Sequence, residues 1–308
     1  MKNVLFSICL SWALVSSCQQ HKEVESEQKD QVPQIEENNF VLPEIPKEMD
    51  FAGERIPLTD IDLKERLDKE LLINNFWHSQ TIRVLKRTRR WLPVIKKIMR
   101  EEGIPEDLAY ISIIESGFNN VTSPAGAKGF WQLLEETGKE FGLTINEQVD
   151  ERYHVEKSTR AACRFLNKAH KRFDSWTLAA ASYNLGMFGV ADNLERQGVD
   201  NYFDLSLNPE TARYVFRILA CKLIFESPQK YGFKLSPEDY YPPYRTKDIK
   251  IDSTIENLYD WSIDNGITIK ILRLLNPWIR GRDFKVKKGE HFIFKLPENN
   301  EQLGRFKG

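Results

Sequence analysis

The side chains best suited to do chemistry lie in Leu108-Ala109-Tyr110-Ile111-Ser112-Ile113-Ile114-Glu115-Ser116-Gly117-Phe118. On a helix, Leu108, Ile111 and Glu115 fall at i, i+3 and i+7, so the carboxyl lies on or beside an apolar stripe just ahead of the Gly117 stop signal. A carboxyl placed there is partly desolvated, and desolvation raises its pKa toward neutrality. That is what a general acid needs if it is to hold its proton before the reaction. Taken alone, the stripe favours a helix-end glutamate reaching water. The five histidines, His21, His78, His154, His170 and His291, show no metal-ligand spacing, so no metal is expected.

The elements that must position Glu115 are helical. From Leu63 to Leu235 apolar residues recur with helical period, broken by Gly, Pro and Asn signals. The spacing predicts helices near Leu63–Phe76, Ser79–Arg100, Pro105–Ser116, Thr137–Phe141, Val155–Phe173, Ser175–Asn184, Phe188–Arg196 and Pro209–Glu226. The second carries Arg83, Lys86, Arg87, Arg89, Arg90, Lys96, Lys97 and Arg100; a solvated amphipathic face is expected, with docking on nucleic acid or anionic lipid as the other use of such a helix. Cys163 and Cys221 sit beside apolar residues in helical patterns and read as buried free thiols, or as a disulfide in an oxidising compartment. After Pro242 the pattern changes. Arg245–Ile251 alternates like a strand, Thr254–Asn265 and Thr268–Leu275 read as short helices, and His291–Leu296 as a closing strand, a second small βααβ unit.

Four ordered blocks between Gly103 and Gly189 carry a family resemblance. They are Glu115-Ser116-Gly117-Phe118; Ser123-Pro-Ala-Gly126-Ala127-Lys-Gly129-Phe130-Trp131-Gln132 with Thr137-Gly138 and Phe141-Gly142-Leu143; Val149-Asp150-Glu151-Arg152 with Ser158-Thr159-Arg160-Ala161-Ala162; and Ala179-Ala180-Ala181-Ser182-Tyr183-Asn184-Leu185-Gly186. Together they resemble the transglycosylase SLT domain family, in the branch of the membrane-bound lytic murein transglycosylase D type. The resemblance implies a lysozyme-like catalytic domain in which Glu115 is the sole acid/base, Ser116 is its hydrogen-bonding neighbour, and Gln132, Tyr183 and Asn184 line a glycan groove. It further implies lytic cleavage without a cofactor: Glu115 protonates the bond between N-acetylmuramic acid and N-acetylglucosamine, the 2-acetamido group stabilises the cation, and Glu115 then takes the C6 hydroxyl proton, leaving a 1,6-anhydro end. Two departures concern subsite shape. Leu133-Leu134-Glu135-Glu136 stands where the family has Met-Pro, and Leu185 where it has Ala. Phe130 and Trp131 are read as core or as ligand contacts, and Asp150, Glu151 and Arg152 as a structural ion-pair cluster.

The tail resembles a divergent LysM module, through Ile263-Asp-Asn-Gly266-Ile267, Leu272-Arg-Leu-Leu-Asn276-Pro277 and Phe294-Lys-Leu296-Pro297, although Asp252-Ser253-Thr254-Ile255 replaces the usual Gly-Asp-Thr-Leu entry. It is expected either to bind glycan or only to dock on the catalytic unit.

The leader is an address. Lys2, an apolar run from Val4 to Val15 and Ser16-Ser17 precede Cys18, in the manner of a bacterial lipobox, so residues 1–17 read as a lipoprotein signal and Cys18 as the lipidated N-terminus. The apolar run is shorter than the ~20 residues of a spanning helix. Residues 18–50, rich in Gln, Glu, Lys and Pro, read as a disordered tether. The expected organisation is therefore mainly α: tether, helical extension 51–102, catalytic domain 103–238 and LysM-like α+β domain 240–300. The expected location is the bacterial cell envelope, as a periplasm-facing lipoprotein of the outer membrane.

The chain has 308 residues, 41% of them hydrophobic, with 44 Lys and Arg against 45 Asp and Glu, for a net charge of −1. That composition describes a folded globular protein and gives no global attraction to nucleic acid. Peptidoglycan strands and, through the lipid, a membrane are the expected partners. Two readings compete with a lytic enzyme: a hydrolytic muramidase, needing a second carboxylate such as Glu135, Glu136 or Asp150 to position water, and a non-catalytic peptidoglycan-binding lipoprotein.

Overall fold

The computed structural model describes residues 42–299. The signal segment, Cys18 and most of the expected tether lie outside the described residues. The chain enters through a hairpin of β1 (Asp50–Phe51) and β2 (Glu54–Arg55), followed by α1 (Ile61–Phe76) and α2 (His78–Glu101). A 3-10 turn at Glu106–Ala109 leads into α3 (Tyr110–Ser116), so the single helix expected from Pro105 is two short pieces. Then come α4 (Glu135–Glu140), α5 (Val155–Phe173), α6 (Trp176–Leu185), α7 (Met187–Gln197) and α8 (Pro209–Glu226). The small unit follows as β3 (Thr246–Ile251), α9 (Leu258–Asp264), α10 (Ile269–Leu275) and β4 (Phe292–Pro297). β3 and β4 pair antiparallel, Thr246 opposite Pro297 and Ile251 opposite Phe292. No described helix is long and apolar enough to cross a membrane.

Local chemistry sets the element ends. Asp60 caps α1 by accepting from Leu63 N, and Asn208 caps α8 from Glu210 N and Thr211 N with Pro209 in the first turn. The expected start of α9 at Thr254 is four residues early. Ile255 is instead tied to Phe284 by a reciprocal pair of backbone hydrogen bonds, and Asn257 supplies the cap. The hairpin was not foreseen. Its Glu54 accepts from Ser175 Oγ and from the backbone of Trp176 and Thr177, placing a carboxylate on the free amides at the start of α6.

One large core unites the helical body. It runs from Met49 and Phe51 through Leu67, Leu71, Ile111 and Trp131 to Val215, Leu219 and Phe233, with α1 packed along α8 and α5 along α6 and α2. Two expectations change here. Residues 42–50 are not free tether, because Pro43 and Met49 are buried, Tyr231 Oη donates to Glu44 O and Lys230 pairs with Glu44. The basic side chains of α2 are not a simple solvated face either. Arg87 donates to Gly117 O at the end of α3, while Arg89 donates to Pro237 O and Arg90 to Pro242 O and Tyr244 Oη, so the latter two strap the segment that leads out of the body. Cys163 and Cys221 are buried and free, and burial pushes both thiols up to about 12.

The βααβ unit has its own core around Leu258, Leu272, Trp278, Phe284 and Phe294, and that core also takes in Val149 and Tyr153 from the body. Backbone bonds stitch the two together: Asp150 N donates to Trp278 O and Arg280 N to Gln148 O, each at 2.9 Å. Gln148 exchanges two more with Lys285, and Lys295 pairs with Glu156 at 2.9 Å. The tail is thus a docked part of the molecule.

Candidate active site

Glu115 is the penultimate residue of α3. The helix stops there because Gly117 adopts φ 56°, and a Cβ at Gly117 would sit 2.9 Å from Val84 Cγ2, so the close approach of α2 requires glycine. Half-buried, Glu115 accepts a 2.5 Å hydrogen bond from the phenol of Tyr214 on α8. Its pKa is raised. Burial is the largest cause; the Tyr214 hydrogen bond and the charge of Arg217 pull the other way, and the like charge of Glu210 adds to the rise. No cation forms an ion pair with it among the described residues. The carboxyl is therefore biased toward its protonated form, with a neutral donor waiting for its anion.

The other expected site residues gather around the turn after α3. Ser116 Oγ does not bond Glu115. It donates to Phe130 O at 2.9 Å and Ser112 O at 3.2 Å, tying the end of α3 to the Gly129–Gln132 turn. Tyr183 Oη, from α6, donates to Trp131 O at 2.8 Å, and its charged form would be repelled by Glu115, which places the two near each other. Gln132 holds φ 46°, a left-handed conformation uncommon for a side chain of its size, fixed by its amide donating to Gly129 O at 2.8 Å and Val121 O at 3.2 Å. Gly129 is obligatory there, since its Cβ would fall 2.0 Å from Arg152 O. Asn184 stands slightly apart: its Oδ1 accepts from Thr211 Oγ1 at 2.7 Å, and its amide donates to Glu210 at 3.4 Å.

Phe130 and Trp131 are core; the Trp131 indole donates to Thr159 Oγ1 at 2.9 Å. Asp150, Glu151 and Arg152 are the structural cluster their types suggested. All are buried, with Arg152 donating twice to Asp150 at 2.8 Å and Lys157 paired with Glu151. The departures are local: Leu133 is buried, Leu134 exposed, and Leu185 covers the backbone of Gly189.

Of the carboxylates considered as a second group, Asp150 is locked to Arg152 and Lys128 and Glu135 to Lys139. Neither they nor Glu136 act on Glu115, whereas Glu210 does. Tyr214, Glu210 and Arg217 all lie on α8 and were missed in the sequence. The available signal was Asn208-Pro209, which fixes the start of α8, and a tyrosine within its apolar stripe, since a buried phenol needs a partner.

The transglycosylase SLT domain matches residues 93–205, and the soluble lytic transglycosylase C-terminal LysM-like domain matches residues 247–300. The membrane-bound lytic murein transglycosylase D of Escherichia coli (strain K12) is 28% identical over 247 residues, covering 78% of this chain and 53% of that protein, so the chain spans about half the length of this relative. A protein of Alteromonas sp. (strain M-1) named for tributyltin chloride resistance is 31% identical over 148 residues, covering 46% of this chain and 72% of that one. The X-ray structure of an inactive mutant of lytic transglycosylase Slt from Pseudomonas aeruginosa aligns with TM-score 0.35 and 19% identity, over 49% of this chain and 26% of that one. With Glu115, Gln132, Tyr183 and Asn184 in the matched segment and the βααβ tail in its own, the chain belongs to the transglycosylase SLT domain family.

Proposed function

We propose that the chain is a peptidoglycan lytic transglycosylase, cutting the β-1,4 bond between N-acetylmuramic acid and N-acetylglucosamine with Glu115 as its only acid/base. The observation that carries the reading is a carboxyl held toward its protonated state by burial, hydrogen-bonded to a neutral phenol and to no cation. Glu115 gives its proton to the glycosidic oxygen, and the C1–O bond breaks. The 2-acetamido group of the muramyl residue stabilises the cation at C1. Glu115, now anionic and held by Tyr214, takes the C6 hydroxyl proton as O6 closes on C1. The acid is regenerated, no water is consumed, and the steps need no cofactor. Ser116 and Tyr183 act by fixing the Phe130–Gln132 turn, and Gln132 and Asn184 are proposed to face the glycan. Cys18 is proposed to carry the lipid that holds the protein at the membrane, facing the wall.

Glu210 supplies the one observation that favours hydrolysis, since it is the carboxylate whose charge reaches Glu115. Product mass decides. Digestion of purified sacculi in ¹⁸O water should release anhydro-muropeptides, lighter by one water than reducing ends and free of label at the anomeric carbon. Changing Glu115 to Gln should lower turnover about 10²- to 10⁴-fold. Labelled, reducing ends that disappear in Glu210→Gln would establish the hydrolase instead.

A further inference from the structure

Where the βααβ unit sits against the body, the seam holds a cavity of about 450 Å³. This lies within the range of about 300–1,000 Å³ usual for small-ligand sites. Glu115, Gln132, Tyr183 and Asn184 do not line it, so it is not the space around the candidate acid. Its walls are aromatic on both sides. From the body, the Phe130 ring lies edge-on to Trp91 with centroids 5.2 Å apart and tilted to Phe118 at 5.7 Å, and the linker adds Tyr244, edge-on to Trp91 at 6.2 Å. Trp278 closes it from the tail, and Leu274 and Ile293, 43% and 42% exposed, leave an apolar rim facing water. The charged groups in the walls are unequally used. Glu156, the only carboxylate among the lining residues, is taken by Lys295 at 2.9 Å and His154 at 3.2 Å. Arg90 is spent on Pro242 O, on Tyr244 Oη and on the face of the Tyr244 ring at 4.0 Å. Arg87 is not. Half-buried, it gives one N–H, from Nη1, to Gly117 O at 3.0 Å; Nε and Nη2, which share one edge of the guanidinium, have no acceptor among the described residues, and its charge has no ion-pair partner there. Burial and the like charges of Arg83 and Arg90 disfavour that charge, with only the Tyr241 phenol acting the other way, so an anion would relieve it.

We propose that this cavity is a binding site for a small aromatic carboxylate, its ring system held among Trp91, Phe118, Phe130, Tyr244 and Trp278 and its carboxylate on the free edge of Arg87. A planar guanidinium edge matches the two oxygens of a carboxylate, and rings set edge-on to one another leave slots that a flat aromatic body fills. The walls select against other occupants. A cation meets Arg87, Arg90 and Lys295. A neutral ring leaves the guanidinium of Arg87 unpaired, and a carboxylate without a ring gains nothing from the aromatic walls.

Calorimetric titration of the protein tests this with three probes: 2-naphthoate, its neutral counterpart 2-naphthalenemethanol, and acetate. The unmodified protein should bind naphthoate about tenfold more tightly than the alcohol and give no heat with acetate. Arg87→Met should remove the preference, weakening naphthoate about tenfold and leaving the alcohol within about twofold, and Arg87→Lys should recover part of the loss. Leu274→Glu, at the exposed rim, puts a carboxylate at the mouth and should weaken naphthoate several-fold while sparing the alcohol. Adding the tetrasaccharide of N-acetylglucosamine should leave the naphthoate affinity unchanged; displacement would put the probe in a glycan groove and overturn the proposal. Equal affinity for naphthoate and the alcohol, no binding of either, or a preference that survives Arg87→Met overturns it as well. Should Arg87→Met fail to fold, because it also lets go of Gly117 O, a naphthoate affinity unmoved by Leu274→Glu overturns the proposal by itself.

Discussion

Glu115 and Asp150 are both acids drawn out of water, and they are driven in opposite directions. Burial raises each. At Asp150 it is outweighed by two hydrogen bonds and the charge of Arg152, with Lys128 behind, so the group is held below the usual carboxylate range. At Glu115 the only hydrogen-bond donor among the described residues is a phenol, and the opposing charge of Arg217 acts without an ion pair, so burial prevails. Farther along the seam Glu156 follows Asp150 instead: its burial is overcome by His154, whose Nδ1 lies 3.2 Å away, and by Lys295. Depth alone does not make an acid; the charge of the partner decides whether a buried carboxyl serves architecture or proton transfer.

The contrast can be broken first on the architectural side. Arg152→Leu leaves Asp150 buried without its partner, which should cost about 3–5 kcal/mol and lower the melting temperature by roughly 10 °C in calorimetry. A loss under ~1 kcal/mol would mean that the pair is not what holds the loop. The pH dependence has a definite sign. Because Asp150 titrates lower in the folded chain, its contribution is present above the unfolded value near ~3.9 and fades as pH falls through its folded value.

On the catalytic side, Tyr214→Phe removes the donor that favours the anion. The pKa of Glu115 should climb further, moving the alkaline limb of the pH–rate profile upward, while kcat falls about tenfold because the anion formed between the two proton transfers loses its hydrogen bond. An unmoved alkaline limb would count against Glu115 as the titrating group.

The smallest effect sharpens the comparison. Glu115 binds its proton more tightly folded than unfolded, so its contribution to stability is full below the unfolded value near ~4.3 and is lost as pH rises toward its folded value. Glu115→Gln should therefore melt about 2 °C higher at neutral pH, with the gap shrinking to nothing in acid. Asp150→Asn should do the reverse, and a stability loss in Glu115→Gln at neutral pH would contradict the assignment.

Much of this was legible in local pattern. Val155–Phe173 and Pro209–Glu226 were readable to the residue, because amphipathic spacing and an Asn-Pro start are local signals, and the Gly117 stop with Glu115 ahead of it was equally plain. What local pattern does not carry is partnership across the chain. Tyr214 is 99 positions from Glu115, Glu54 is more than a hundred from the helix start it caps, and Arg217 reads simply as a cation on an apolar helix. Ser116 was expected to bond Glu115 and bonds the Phe130 carbonyl instead, a choice made by the turn conformation. The strap of basic residues from α2 was missed for a related reason: which carbonyls face a helix depends on where a distant loop crosses it.

The sharing of Val149 and Tyr153 with the second core has a consequence for biogenesis. A ribosome makes the body first, and Trp278, Phe284 and Phe294, which complete that core, are added more than a hundred residues after Tyr153. At about 5–20 residues per second, the nascent body waits on the order of ten seconds with an apolar seat uncovered. That interval is when a holding factor has most to offer this protein, and when truncated translation products would be most prone to stick to one another.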